Sequence, residues 1–248
     1  MHPIDLHVHL LPRISSPIDF SDQVAVVIDI LRATTTITTA LANGARSVYA
    51  VQEVSEALAL AEQFSEGAVL LGGERHGEKI EQFHLDNSPL AYTSEVVRDK
   101  EIIFTTTNGT RAMAHCRMAK TIYLGSFNNL SALATRLQEE TPEELHLVCA
   151  GTDGLISHED VLFAGAMCEK LGAPSESVEP GNDTAKLALD TWRAHNQTPE
   201  RFYQALCHSR GGSNLLKLGF DADIRRAAER DLYDIVPNYD PDTGKITA

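Results

Sequence analysis

Val24-Ala-Val-Val-Ile-Asp-Ile-Leu-Arg-Ala-Thr-Thr-Thr-Ile-Thr38 is the stretch on which the fold turns. Its apolar start suits a strand buried on both faces. The run stops at Asp29 and Arg32, and Thr34, Thr35 and Thr36 then lead into a helical segment ending near Asn43-Gly44. An acid, a guanidinium and a row of hydroxyls thus gather at the carboxyl end of a strand. Backbone N–H groups and the dipole of the following helix favour negative charge there, which makes the turn a candidate anion and metal site. A similar pattern recurs at Glu101-Ile-Ile-Phe-Thr-Thr-Thr-Asn-Gly-Thr110, from a short strand through three threonines into another helical segment.

Outward from these two turns, short apolar runs predict strands at 24–30, 47–51, 68–72, 101–104, 121–124 and 145–150. Helical patterns fall between them near 34–43, 53–65, 109–118 and 127–140. In 53–65, Val54, Ala57, Leu58, Ala61 and Phe64 share one face. Alternation of this kind indicates βαβ units: an α/β fold with a largely parallel sheet covered on both faces, its ligands beyond the carboxyl ends of the strands. From about residue 158 the chain reads mostly helical, at 158–171, 182–195, 198–208, 212–219 and 221–231, with a break at Gly211-Gly212. The tail 237–248 reads as loosely ordered. No Pro/Ser-rich linker interrupts the chain, so residues 1–248 are expected to form one domain. The two strand–threonine–helix–strand segments hint at an internal duplication.

A net charge of −14 disfavours nucleic acid as a partner, because binding it takes a basic surface. An acidic protein that handles an anionic substrate must concentrate positive charge locally; Arg32, Arg75 and a divalent cation are the candidates. Cys116, Cys149, Cys168 and Cys207 form no C-x-x-C pair and read as reduced thiols of a cytoplasmic protein. The N-terminus lacks a basic region followed by an apolar core, and no apolar run approaches the ~20 residues that span a bilayer. Neither a secretory signal nor a membrane partner is expected, and homo-oligomerisation stays open.

Four blocks, in order, resemble the 2-phosphosulfolactate phosphatase family. They are Asp29-Ile-Leu-Arg-Ala-Thr-Thr-Thr-Ile37 with Ala42-Asn-Gly-Ala45; Gly72-Gly-Glu-Arg-His-Gly77 with Phe83 and Asn87-Ser-Pro89; Thr105-Thr-Thr-Asn-Gly-Thr110 with Ala112; and Cys149-Ala-Gly-Thr-Asp-Gly154 with Glu159-Asp160 and Ala164-Gly165. The likeness covers roughly residues 20–170 and weakens beyond. It implies a three-layer α/β/α sandwich, dependence on Mg2+, and hydrolysis of the phosphate ester of a small sulfonated 2-hydroxy acid. In the family that step belongs to coenzyme M synthesis. Gly151 becomes a candidate substrate-binding position on this resemblance. The His7-Val-His9 pair is not part of the family pattern.

Asp29 then reads as a magnesium ligand or a nucleophile, with Glu74, Glu159 and Asp160 as further candidate ligands. Magnesium prefers carboxylate oxygens and keeps several waters, so one to three acids and the substrate phosphate suffice. A plainer reading makes Asp29 a helix cap or the partner of Arg32, and Glu159-Asp160 first-turn acids that complement a helix dipole. Arg32 and Arg75 suit phosphate, carboxylate and sulfonate oxygens by bidentate contact, the alternative being surface ion pairing. Thr34, Thr35, Thr36, Thr107, Asn108, Gly109 and Thr110 are the candidate phosphate cradle; strand ends, caps or an empty turn are the alternative. Gly72-Gly73 ahead of Glu74-Arg75 suggests backbone that approaches a ligand closely.

Other phosphatase and hydrolase signatures are incomplete. Arg75-His76-Gly77-Glu78 matches the histidine phosphatase motif, yet at least two strands precede it rather than one. Asp5-Leu-His-Val-His9 resembles the metal motif of amidohydrolase-type enzymes, but no second His-x-His follows. Asp29-Ile-Leu lacks the second acid of haloacid-dehalogenase-type phosphatases, and no cysteine has an arginine six positions later. The resulting expectation is a magnesium-dependent phosphatase acting on a small anionic ester, by direct attack of water or through a phosphorylated Asp29. The competing readings are a non-catalytic sensor using the same cleft and a histidine phosphatase using His76.

Overall fold

A computed structural model describes residues 3–248. Among the described residues eleven strands form the central sheet: β1 Ile4–His9, β2 Val24–Ile28, β3 Ser47–Ala50, β4 Val69–Arg75, β5 Glu78–Lys79, β6 Glu101–Thr105, β7 Thr121–Gly125, β8 Glu144–Cys149, β9 Val178–Pro180, β10 Asn238–Asp240 and β11 Lys245–Thr247. The helices are α1 Ala33–Ala42, α2 Val54–Ala61, α3 Ser94–Val97, α4 Gly109–His115, α5 Leu130–Glu140, α6 His158–Leu171, α7 Asp183–His195, α8 Pro199–His208, α9 Arg210–Lys217 and α10 Asp221–Ala228. In space the strands follow β5-β4-β6-β3-β11-β10-β7-β2-β8-β1-β9.

All six expected strands are present within a few residues. The central one, β2, has every side chain buried, as its unbroken apolar run requires. Val24, Val26 and Ile28 enter the core beneath α5, α6, α7 and α8, while Ala25 and Val27 face α1 and α4. Each such Val or Ile contributes roughly 1.5–3 kcal/mol by leaving water. On the far half of the sheet Ile102 and Phe104 of β6 face the α1/α4 side, and Ile103 packs under α2. Helices therefore cover both faces, giving the expected α/β/α sandwich.

The sheet consists of two parallel blocks that run in opposite directions. Strands β7, β2, β8, β1 and β9 are mutually parallel, as are β3, β6 and β4. Between the blocks lies the hairpin β10–β11, antiparallel to β7 on one side and to β3 on the other. The tail expected to be loosely ordered is thus the central seam, with Tyr239 and Ile246 buried against the α1/α4 core. Three-residue strands are too short to show a periodic pattern, which is why the sequence hides them.

Around that seam the two threonine-rich crossovers occupy matching places. β2–α1–β3 leaves one block and enters the other, and β6–α4–β7 makes the reverse journey. Their strands end at diagonally opposite corners of the sheet. The N-termini of α1 and α4 nevertheless meet, Gly109 lying against Ala33 and Asp29.

Candidate active site

Asp29 follows the last residue of β2 and is 8% exposed. Its Oδ1 accepts the N–H of Ala33 at 3.2 Å, so the carboxylate takes the first turn of α1 as its own donor. The Leu31–Arg32 peptide between them is cis. Gly109 opens α4 directly against this carboxylate. A Cβ on Gly109 would lie 2.8 Å from Asp29 Oδ2 and 2.6 Å from Ala33 Cβ, so only glycine lets the two helix starts come together.

Glu74 reaches the same corner from the end of β4. Its Oε1 accepts the N–H of Thr107 at 2.8 Å and its Oε2 the N–H of Gly77 at 2.6 Å. It therefore ties the threonine turn after β6 to the β4–β5 hairpin. His76 and Gly77, both at positive φ, form that hairpin's two-residue turn, the geometry of a type I′ connection.

These turns enclose a cleft of about 350 Å³, into which Asp29, Arg32, Glu74, Thr107 and Asn108 converge. Asn87, Thr106, Asp153, Asn214 and Lys217 also line it. Arg32 is nearly buried: its Nη1 meets Asp223 Oδ2 at 2.6 Å, its Nη2 donates to Gly77 O at 3.0 Å, and Phe220 covers the guanidinium at 4.4 Å. Behind Asp29 lies Glu159, at the start of α6, against Gly211.

Two features make this corner the candidate ligand site. Asn87 Oδ1, Thr106 Oγ1, Thr107 Oγ1 and Glu159 Oε2 are buried without hydrogen-bond partners, a costly state unless something else supplies them. The acids are also crowded. Burial pushes the Asp29 carboxyl up to about 7; the Ala33 N–H opposes this, and Glu74 and Glu159 add like charge. Burial likewise raises Glu159, and raises Asp160 with help from Glu159 and Asp29.

Several expected site residues do other work. Thr34, Thr35 and Thr36 are fully buried and form no phosphate cradle. Thr34 Oγ1 donates toward Asp29 O and Gly125 O, Thr35 Oγ1 to Ile30 O, and Thr36 Oγ1 to Asn87 O. A threonine in a helix seeks backbone carbonyls, and here that habit fixes the strand end and the Asn87 loop. Arg75 turns away from the cleft and donates to the carbonyls of Glu74 and Gln52 and to Thr105 Oγ1. Thr110 Oγ1 donates back to Thr106 O in the turn ahead of α4. Asp160 lies outside the cleft lining, its oxygens accepting the N–H groups of Ile30 and Gly151; it braces two strand ends, and Gly151 belongs to that brace.

The histidine motifs also resolve. His76 lines the cleft from an exposed hairpin turn, while the arginine beside it is bonded to backbone, so the pair lacks the anchoring role a histidine phosphatase needs. His7 and His9 stack with His146 at ring-centroid distances of 5.1 and 5.3 Å, and His9 Nε2 lies 3.0 Å from His146 Nδ1. Among the described residues no three His, Cys, Asp or Glu side chains are grouped to cage a metal. Sequence reasoning missed Asp223, Asn214 and Lys217, which stand far along the chain in helical segments with no motif. Asn87 stood within a quoted block yet carried no assigned role.

A family model described as 2-phosphosulpholactate phosphatase matches residues 10–242. A protein of Caldanaerobacter subterraneus subsp. tengcongensis named "Probable 2-phosphosulfolactate phosphatase" is 41% identical over 219 residues, covering 88% of each chain. Proteins of the same name from Symbiobacterium thermophilum and Parasynechococcus marenigrum are 40% and 39% identical. The first match covers 89% of this chain and 93% of the relative, the second 89% and 90%.

Proposed function

This chain belongs to the 2-phosphosulpholactate phosphatase family, and we propose that its Asp29 cleft hydrolyses 2-phosphosulfolactate to sulfolactate and phosphate with the help of Mg2+. Such an enzyme is a phosphoric monoester hydrolase, and coenzyme M synthesis is the setting its family likeness suggests. The observation that carries the reading is a set of orphaned buried polar atoms, Asn87 Oδ1, Thr106 Oγ1 and Thr107 Oγ1 in the cleft lining and Glu159 Oε2 near Asp29, beside acids at two strand ends.

The donor set fits magnesium, which takes carboxylate oxygens and retains water and phosphate as its other ligands. Asp29 would hold it, with Glu74 and Glu159, the two acids whose like charge acts on it, as the further candidate ligands. Bound there, the ion would neutralise the crowded acids and polarise a phosphoryl oxygen. The chain's own groups do the rest. Thr106 and Thr107 hydroxyls donate to phosphoryl oxygens, with the N-terminus of α4 behind them. Arg32, locked by Asp223 and Phe220, brings fixed positive charge that needs no reorganisation as charge develops. Walls from the hairpin turn, the 152–153 loop and α9 hold the ester in one orientation. A sensor that merely bound an anion would gain nothing from three acids beside it.

The test is phosphate release from 2-phosphosulfolactate. EDTA should abolish it and added magnesium restore it, while His76→Ala keeps substantial activity. Full turnover in EDTA would end the magnesium assignment. Tight binding with no turnover would favour the sensor, and acid-labile phosphohistidine with an inactive His76→Ala would favour the histidine phosphatase.

A further inference from the structure

The charges that line the cleft do not balance. Asp29, Glu74 and Asp153 bring acid groups; Arg32 and Lys217 are the cationic side chains. Arg32 is already matched to Asp223 at 2.6 Å, and Arg210 at the rim is matched to Asp153 at 3.5 Å. Lys217 forms no ion pair among the described residues. It stands in the last turn of α9, exposed, in a protein of net charge −14. An unneutralised ammonium in an otherwise acidic cleft is where an anion is drawn.

Helix α9 fixes the backbone that carries this ammonium. Gly211 sits so close to Glu159 Oε1 that a Cβ would collide with it, and Gly212 packs in the same way on Leu206 O. Ser209 Oγ caps the helix by accepting the N–H of Gly212 at 3.0 Å, and Leu215 is buried beneath it. Gly211, Asn214, Leu215 and Leu218 follow the i, i+3, i+4, i+7 spacing of one helix face, and all line the cleft with Lys217 beside them. The glycine end of this face abuts Glu159 at the depth of the site, and the lysine end stands at its mouth.

We propose that Lys217, with Asn214 one turn before it, is the specificity determinant that binds the sulfonate of the substrate, the anionic group remote from the phosphate ester. This rests on the reading of the cleft as a 2-phosphosulfolactate phosphatase site. The side-chain type favours sulfonate over carboxylate. A sulfonate presents three oxygens in a tetrahedral array, which a compact ammonium with three rotatable donors meets without a planar constraint; a carboxylate is better matched by a guanidinium fork.

The experiment compares Lys217→Ala and Lys217→Arg with wild type on 2-phosphosulfolactate and on 2-phospholactate, which lacks the sulfonate, the latter scored by turnover or by competition. Competitive inhibition by sulfolactate and by inorganic phosphate is measured alongside. Lys217→Ala should raise KM for 2-phosphosulfolactate and Ki for sulfolactate by about 10- to 100-fold, the range of one charge-assisted hydrogen bond. It should change kcat, 2-phospholactate binding and phosphate inhibition far less, and Lys217→Arg should recover part of the loss. Equal losses on both esters, weakened phosphate inhibition, or unchanged KM would overturn the assignment of the sulfonate to Lys217. Wild type that does not turn over 2-phosphosulfolactate would overturn the reading of the cleft itself.

Discussion

Arg32 and Asp223 form an ion pair whose side chains are each 2% exposed, and Ser88 Oγ donates a second bond to Asp223 at 2.6 Å. Removing one partner of such a pair strands the other in a dry site, at a cost of about 3–5 kcal/mol. Arg32→Ala should therefore lower Tm as well as kcat/KM, and Asp223→Ala should do the same; a thermal melt that matches wild type for either would show the pair to be unimportant. Asp29 was legible because a charged residue ending a wholly apolar run is conspicuous. The roles of Thr34 to Thr36 were not, since a hydroxyl's direction depends on which carbonyls lie near it. A second residue-scale effect comes from the histidine row. Burial, then the neighbouring imidazoles, push His9 down to about 4, and burial with His7 does the same to His146, against the opposing charges of Asp19 and Asp5. His115 also faces His9, and Glu144 contacts His146. An unfolded chain holds these protons up to about pH 6.5, so between pH 6.5 and 4 it binds more of them than the folded one does. Stability from these groups is lost as pH falls through that window. Asp29, raised rather than lowered, acts in the opposite sense, so the two effects must be separated. The Tm difference between wild type and His9→Gln/His146→Gln should shrink on acidification from pH 7 to 4; a constant difference would refute the buried neutral pair.

At the scale of elements, the site depends on how closely α9 approaches α6. Gly211-Gly212 read as a break between helices, whereas it lies inside the first turn of α9 and lets that helix rest on Glu159. The misreading has a plain cause: glycine weakens a helix in isolation, and tertiary contact overrides the preference. Gly211→Ala should push α9 outward and lower kcat/KM by about 10-fold or more, with far-UV circular dichroism unchanged. Wild-type kinetics in that variant would mean α9 has no part in shaping the cleft. Helix α1 teaches the converse. Its threonine-rich sequence is a poor helix former, yet Thr38 and Thr39 bond the carbonyls of Thr34 and Thr35, and burial of the whole segment holds it in place.

Across the whole molecule, the alternation of apolar runs and helical faces made the layered α/β architecture readable, because burial on both faces leaves a continuous apolar signature in β2, β6, β7 and β8. The opposed directions of the two blocks were not readable, for they depend on the short hairpin β10–β11 at the seam. Deleting residues 237–248 would bare the facing edges of β3 and β7 and remove buried Tyr239 and Ile246. The truncated chain should aggregate or lose its cooperative melt; a soluble product with the parent Tm would contradict the seam's role. The same seam sets the two blocks in opposed directions, and the contact of Gly109 with Asp29 makes that acid the meeting point of both. Phosphate release from 2-phosphosulfolactate by Asp29→Asn, at matched folded concentration and saturating magnesium, tests that convergence most directly. The expected result is a fall in kcat/KM on the order of 10²-fold or more with a Tm no lower than that of wild type. Wild-type turnover by Asp29→Asn would contradict the account.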